Sequence, residues 1–203
     1  MKQAFVVVGM LLVALSFPTC GVGLGGSVWV GTVTMEAVNA IIESYNAANG
    51  ADVPALDRAF GGEAEASLAV GFFAIPYVGL RGAGVSAQTA RERVSASILG
   101  PYAGLAAELG RAWMSLDVGA YRGAFSFPAA RYDGLEGWGI GVVGRAGYAL
   151  PISSVLAAYA SVSATWLPVS ELRDAEGAVY GARTGAFLDF SGFSLSLGMR
   201  WGR

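Results

Sequence analysis

Phe193-Ser194-Leu195-Ser196-Leu197-Gly198-Met199-Arg200-Trp201, near the end of the chain, decides the reading of the fold. Large apolar residues hold the odd positions there, and all but Arg200 of the even ones are small. A period of two belongs to a β-strand, whose successive side chains point to opposite faces. The polar face carries Arg200 among apolar neighbours. An arginine so placed suits an enclosed wet interior better than the dry core of a sandwich. If the pattern recurs upstream with sharp turns between, the chain is an antiparallel barrel with its greasy side outward.

Upstream the pattern does recur. Residues 63–75 set Ala64, Ala66, Leu68, Val70 and Phe72 against Glu63, Glu65, Ser67 and Gly71, with Pro76 marking a turn because it lacks a ladder donor. Residues 78–85 place Leu80 opposite Arg81, and 94–104 form a third strand. In the fourth, Ala112, Met114, Leu116, Val118 and Ala120 oppose Ser115, Asp117, Gly119 and Tyr121. The fifth sets Trp138, Ile140, Val142 and Tyr148 against Gly139, Gly141, Arg145 and Gly147. The sixth sets Leu156, Val162 and Trp166 against Tyr159, Ser161, Ser163 and Thr165. Residues 179–190 read as a seventh, with Arg183 and Asp189 opposite Ala186, Leu188 and Phe190, and Ser191-Gly192 turns into the last strand. Runs of ~8–13 residues cross a bilayer at a tilt, and about eight antiparallel strands commonly close a small membrane barrel.

Composition agrees. The 203 residues are 54% hydrophobic with a mean hydropathy of +0.53. Past the first two dozen residues, however, nothing approaches the ~20 apolar residues of a membrane helix. Thirty glycines, eight tyrosines and five tryptophans fit strands and tight turns. A net charge of -2 without a basic block argues against a nucleic-acid partner.

The division expected is a signal peptide over 1–21, an N-terminal segment with amphipathic helices over 22–62, and a transmembrane β-barrel over 63–203. Met1-Lys2-Gln3 followed by Ala4 to Leu15, a charge and then an apolar run, reads as an export signal. Cleavage fits either Ala14-Leu15-Ser16 or the region from Cys20 to Gly23. Cys20 is the only cysteine, so no disulfide forms within the chain. It is a candidate for acylation, although Phe17-Pro18-Thr19 matches a lipobox loosely. One helix is predicted after Thr34 as cap, with Glu36 in its first turn, a stripe of Val38, Ile41, Ile42 and Tyr45, and a stop near Gly50. A second is predicted from Asp52 to Phe60. Such a pair can lie on the membrane surface, plug the lumen, cover a mouth or pack on the periplasmic rim.

Tyr77, Tyr102, Trp113, Trp138, Tyr148, Trp166, Tyr180 and Trp201 fall near strand ends, where rings favour the boundary of lipid and water. The face opposite the apolar one holds the candidate lumen-lining charges Glu63, Glu65, Arg81, Asp117, Arg145, Arg183, Asp189 and Arg200. Paired with opposite charges and water they are tolerable in a narrow bore and hold it shut. The alternative, a small conducting pore, runs against the crowding inside eight strands.

This architecture resembles the small outer-membrane barrels of bacteria with a two-membrane envelope, of the OmpA and OmpW types. The resemblance implies export to the bacterial outer membrane, contact with outer-membrane lipid and with the barrel insertion machinery, and a structural or passive, porin-like role toward some small solute. Two features depart from it: the chain ends Trp201-Gly202-Arg203 rather than on an aromatic residue, and the long loops follow even-numbered strands. Recruiting Val28 to Val33 as a first strand would repair the second mismatch.

No enzyme and no cofactor are expected. The chain has no histidine, whereas outer-membrane barrel enzymes are similar in using one, and a Ser-His-Asp relay or a His/Cys zinc site needs it. Gly21-Val22-Gly23-Leu24-Gly25-Gly26 has dinucleotide-loop spacing but leads into a strand instead of opening a helix. Glu63 and Glu65 share a face, as a carboxylate hydrolase would need, without a spacing that specifies one. A soluble, secreted, lipocalin-like carrier of a hydrophobic ligand is the competing expectation, with the apolar face inward.

Overall fold

Alternation becomes hydrogen-bonded ladders in the structure, a computed structural model that describes residues 21–69, 74–181 and 185–202. In chain order come β1 (Gly21–Thr32), α1 (Glu36–Asn49), β2 (Arg58–Ala69), β3 (Ile75–Gln88), β4 (Arg93–Leu109), β5 (Ala112–Phe127), β6 (Tyr132–Pro151) and β7 (Leu156–Trp166). Four short strands follow, β8 (Pro168–Val169), β9 (Glu171–Arg173), β10 (Val179–Gly181) and β11 (Leu188–Asp189), before β12 (Gly192–Trp201). Strands β1 to β7 and β12 form a closed ring of eight, each antiparallel to its neighbours.

Closure is made by the pairing of β1 with β12, from Leu24 opposite Trp201 to Gly31 opposite Ser194. Among the described residues the barrel therefore already includes β1 from Gly21, which corrects the expected boundary at residue 63: the stretch around Val28 is ring strand one. The expected strand over 179–190 is not in the ring. β12 pairs directly with β7, from Gly192 opposite Thr165 to Trp201 opposite Leu156, and leaves no edge for it. Its residues instead form β10, which pairs with β9, and β11, which pairs with β8. Pro76 lies inside β3, opposite Leu105, rather than at a turn. Residues 1–20, including Cys20 and the expected signal, and Val70 to Phe73 lie outside the described residues.

The new register also settles the loops. Few residues join β2 to β3, β4 to β5 and β6 to β7, at the end where β1 begins and β12 stops, whereas β1 and β2, β3 and β4, β5 and β6, and β7 and β12 are joined at the other end. Long connections thus follow odd-numbered ring strands, the first and the seventh.

α1 covers the long-loop mouth. Val38 and Ile42 are fully buried, Tyr45 packs edge-on against Phe127 with centroids 5.0 Å apart, and Gly50 ends the helix in the left-handed region that favours glycine. Thr34 does not cap it; its hydroxyl donates to the Ser191 carbonyl at 3.3 Å. The second helix expected from Asp52 is absent. Two side chains on α1 hold that segment extended by imitating a strand partner. Asn46 accepts from the Val53 amide and donates to its carbonyl, both at 3.0 Å. Asn39 does the same for Leu56 at 2.8 and 3.2 Å. Val53 and Leu56 are buried beneath the helix, and β2 starts at Arg58.

Inside and outside exchange character along the barrel. Over the lower part of β5, Met114, Leu116 and Val118 are exposed while Ser115 and Asp117 are buried. Above Tyr121 the order flips: Arg122 points outward, while Phe125 and Phe127 are buried. β4 does likewise, with Leu99 and Leu105 exposed below and, above, Ser95 and Ser97 facing away from buried Val94, Ala96 and Ile98. The upper bore is filled by these residues and by Leu167, Val169, Leu172, Leu188 and Phe190 of the β7–β12 connection. A carrier with an apolar bore would need the reverse below: Leu116, Val162 and Leu197 are 58%, 55% and 67% exposed, and Arg145 is 7% exposed.

Candidate functional site

Beneath that apolar fill lies a layer of acidic and basic side chains, one ring strand supplying each or two. Glu63 and Glu65 come from β2, Arg81 from β3, Asp117 from β5 and Arg145 from β6, and all five are buried. The strand period puts them inside together, and cross-strand pairing brings them level: Glu63 stands opposite Arg81 in the β2–β3 ladder.

Arg81 is clamped on both sides. Its Nε and Nη2 donate to Glu63 Oε2 at 3.1 and 3.0 Å, and its Nη1 and Nη2 donate to Asp117 at 2.8 and 3.0 Å. Nη1 also donates to the Tyr121 hydroxyl at 3.0 Å, and the guanidinium sits 4.3 Å from the Tyr102 ring centroid. Arg145 pairs with Glu63, with Asp117 at 3.2 Å and with Glu65 at 3.6 Å. The Ser27 and Tyr77 hydroxyls donate to Glu63 and Asp117 at 3.0 and 3.2 Å. Charge-assisted, two-pronged contacts of this kind offset the desolvation of the ions and fix their geometry.

The other candidates lie elsewhere. Arg200 sits lower, near the short-turn mouth, where it donates to Glu108 at 2.6 Å and approaches Glu65 to 3.8 Å. Asp189 is not in the bore: it belongs to β11 in the loop, where its carboxylate accepts from the Ser191 amide at 2.9 Å. Its alternation with Leu188 and Phe190 comes from the cap, which buries those two, and not from a ring strand. Arg183 lies outside the described residues.

Three rings expected at the lipid boundary are interior residues instead. Tyr77, Tyr102 and Trp113 are buried around the arginines. Parity with Arg81 on β3 and with Asp117 on β5 is the signal that places Tyr77 and Trp113 there, whereas Tyr102 on β4 is placed by its cross-strand register with Gly79. Each lies across a glycine on the neighbouring strand: a Cβ added to Gly79, Gly104 or Gly147 would stand 2.6 Å from Tyr102, 2.6 Å from Tyr77 or 2.7 Å from Trp113. These are register pairs, Gly79 with Tyr102, Tyr77 with Gly104 and Trp113 with Gly147. The glycine-rich inner face therefore makes room for rings. By contrast Trp138, Tyr148, Trp166 and Trp201 face outward, and Tyr180 is in the loop, packed 5.8 Å from Tyr132. Asp174, which accepts its hydrogen bond, raises the Tyr180 hydroxyl above the ordinary tyrosine range.

The bore is closed by this arrangement. The space between the charged layer and Trp29, Ile98 and Phe190 amounts to about 20 Å³, room for a single water. At the short-turn mouth a recess of about 240 Å³ ends at Trp113, Tyr159 and Arg200. Trp113 and Tyr159 meet edge to face there, 5.6 Å apart.

No protein-family model and no curated protein matches the sequence. Among solved structures, the chain is similar to Ail, the attachment invasion locus protein of Yersinia pestis, solved in complex with the heparin analogue sucrose octasulfate. That match has 8% identity and a TM-score of 0.54, and it covers 91% of this chain and 99% of Ail. Two others match at a TM-score of 0.30: a deletion mutant of the monoaromatic hydrocarbon channel TodX (10% identity, 83% of this chain) and OmpT, an outer membrane protein of Vibrio cholerae (12% identity, 93% of this chain). The chain spans about half the length of each, 53%. The likeness to Ail establishes the fold, a small eight-stranded barrel of the bacterial outer-membrane type.

Proposed function

We propose that this chain resides in the outer membrane of a bacterium with a two-membrane envelope, sealed along its axis, as a structural element and surface platform and not as a channel or an enzyme. The observation that carries the reading is the exchange of polarity along the strands. Outward side chains of β5 are all apolar from Ala112 to Ala120, and Arg122 and Ser126 follow above them with Ala124 between; ~9–11 residues is the run a tilted strand needs to cross hydrocarbon. Trp138 and Tyr148, both outward, bracket the band on β6. Ten residues at ~3.4 Å each, tilted by ~40°, span ~26 Å, close to the ~25 Å apolar belt of such barrels. Short turns of these barrels face the periplasm and long loops the exterior, so the mouth under α1 is the outer one. Partners are then the surrounding lipid and, during biogenesis, the insertion machinery.

Passage of a small solute is disfavoured by the apolar fill above and the ion pairs below. Enzymatic chemistry is disfavoured because the interior carboxylates are tied up by arginines in a chain without histidine. The sulfated ligand of Ail is not carried over either. Among the described residues the outward end exposes Glu36, Glu43, Asp52, Asp57, Asp133, Glu136, Glu171 and Glu176 against Arg58, Arg91, Arg93, Arg122, Arg131 and Arg173, an acidic excess that does not attract polyanions. Two measurements test the proposal. On a gel, the detergent-purified chain is expected to migrate differently before and after boiling; a chain that stays folded and monomeric without detergent refutes membrane residence. In planar bilayers no steady unitary conductance is expected, and reproducible open channels would refute the sealed interior.

A further inference from the structure

Three consecutive residues of β10, Val179, Tyr180 and Gly181, line one side of an open groove of about 1130 Å³ at the long-loop end. Side chains alternate across a strand, so a groove that meets three in a row meets the strand's edge rather than a face. Among the described residues that edge is free: β10 closes off the sheet order and pairs only with β9. The opposite wall is one face of α1, where Ala37, Ala40, Ser44 and Ala48 recur at helical spacing. Their small side chains leave width for a polypeptide backbone. Ile41, Tyr132 and Phe187 supply an apolar floor, and Glu36 and Arg131 are the charged residues of the lining.

We infer that this groove docks an extended segment of a partner polypeptide, which adds to the free edge of β10 as a further strand and sets an apolar side chain on the floor. An unpaired edge presents backbone donors and acceptors that an extended chain satisfies; backbone bonds give affinity and alternate side chains give selectivity. The helical wall, about 14 residues at ~1.5 Å each, matches some six residues of extended chain. With one acid and one base in the lining, the selected segment is apolar at alternate positions and close to neutral.

The inference rests on the cap lying outside the membrane, and the test is made on the full chain in detergent micelles, where the groove is accessible however the barrel sits in a bilayer. A phage-displayed random heptapeptide library is selected on the folded protein, and a synthetic copy of the peptide that emerges is titrated by fluorescence anisotropy. An alternating apolar sequence is expected. Ala40→Arg, which fills the groove from an exposed helical position, should weaken binding about tenfold or more, whereas Ala47→Arg, off the groove, should leave it unchanged. A copy with N-methyl groups on alternate backbone amides should lose binding. Selection of no such sequence, equal binding of the N-methylated copy, or indifference to Ala40→Arg overturns the inference. Self-association of the free protein that Ala40→Arg abolishes overturns it in favour of a second copy of the chain as occupant.

Discussion

Replacing Arg81 with methionine removes the centre of the charged layer while nearly preserving volume. Arg81 is 4% exposed and donates four hydrogen bonds to two buried carboxylates. Taking one partner out of a buried ion pair costs about 3–5 kcal/mol, because the charges left behind are neither paired nor hydrated. Its contact with the Tyr102 face adds about 1 kcal/mol. Two features pull the other way. Arg145 already touches both Glu63 and Asp117, and Tyr77 still donates to Asp117. The expected loss is therefore at the lower end, about 3 kcal/mol, or roughly 150-fold in the unfolding equilibrium. Arg81→Met combined with Asp117→Asn deletes one charge of each sign and leaves Arg145 with Glu63 and Glu65. The pair should recover more than half of the loss, because neighbours within one network are not additive. Reversible urea unfolding in lipid vesicles, followed by tryptophan emission, reads both quantities. A single variant within about 1 kcal/mol of the parent, or a double variant as unstable as the sum of its parts, would refute a buried, mutually compensating layer.

The outer faces give a paired test: Leu116→Arg should cost about 2–4 kcal/mol in vesicles, and Ser97→Arg, outward but above the belt, less than about 0.5, by the same urea titration. Gly79→Val drives a side chain into the Tyr102 ring and should cost about 1–3 kcal/mol, whereas Gly144→Ala, whose new Cβ meets nothing within 4 Å, should be neutral in that assay. Brominated lipids should strongly quench variants that retain only Trp138, Trp166 or Trp201 and spare one that retains only Trp113, since the first three are exposed on the barrel and the last is 6% exposed. Asn39→Ala with Asn46→Ala removes the clamps on the segment over 51–57 at about 1 kcal/mol for each lost bond. It should speed proteolysis there while the gel shift of the folded barrel persists.

Much of the ring was legible because alternation survives wherever the two faces differ in chemistry. β3 to β7 and β12 announce themselves this way, and parity alone groups Glu63, Arg81, Asp117 and Arg145 on inner faces. β1 was harder to see. Its inner face is Gly23, Gly25, Ser27, Trp29 and Gly31, so it offers little polar contrast, and its partner β12 lies at the far end of the chain, a pairing that no local pattern encodes. The segment over 179–190 failed in the opposite sense. Leu188 and Phe190 alternate with Asp189 because the cap buries them, and a two-residue strand under a lid produces the same local signal as a membrane strand. The interior tyrosines carry two competing signals: a ring near a strand end suits the lipid boundary, yet Arg81 lies four positions after Tyr77, an even spacing that puts both on one face.

The same strands carry two opposite rules for what must be apolar, and the row where the rule changes is itself informative. Leu99 faces Arg122 across β4 and β5, and Arg122 faces Trp138 across β5 and β6, so the last outward leucine of β4, the first outward charge of β5 and the uppermost outward tryptophan of β6 lie on one cross-strand row. Below it the surroundings are apolar, backbone polarity is met within the ring, and the costly groups are the interior ions, which must pair with one another. Above it on β4 to β6 the surroundings are water, so the interior must be dry, and Phe125, Phe127 and Leu135 meet α1 and the β7–β12 connection as the core of a soluble domain would. A continuous ladder thus becomes membrane barrel below and water-soluble cap above without a break in its hydrogen bonds. This is why the proposed role is a sealed one: a continuous wet path for a polar solute would need polar walls in both halves, and here they end near the level where the outer hydrocarbon contact ends on β4 to β6. The charged layer is placed just under that transition, where it seals the bottom of the apolar core and keeps its own ions paired.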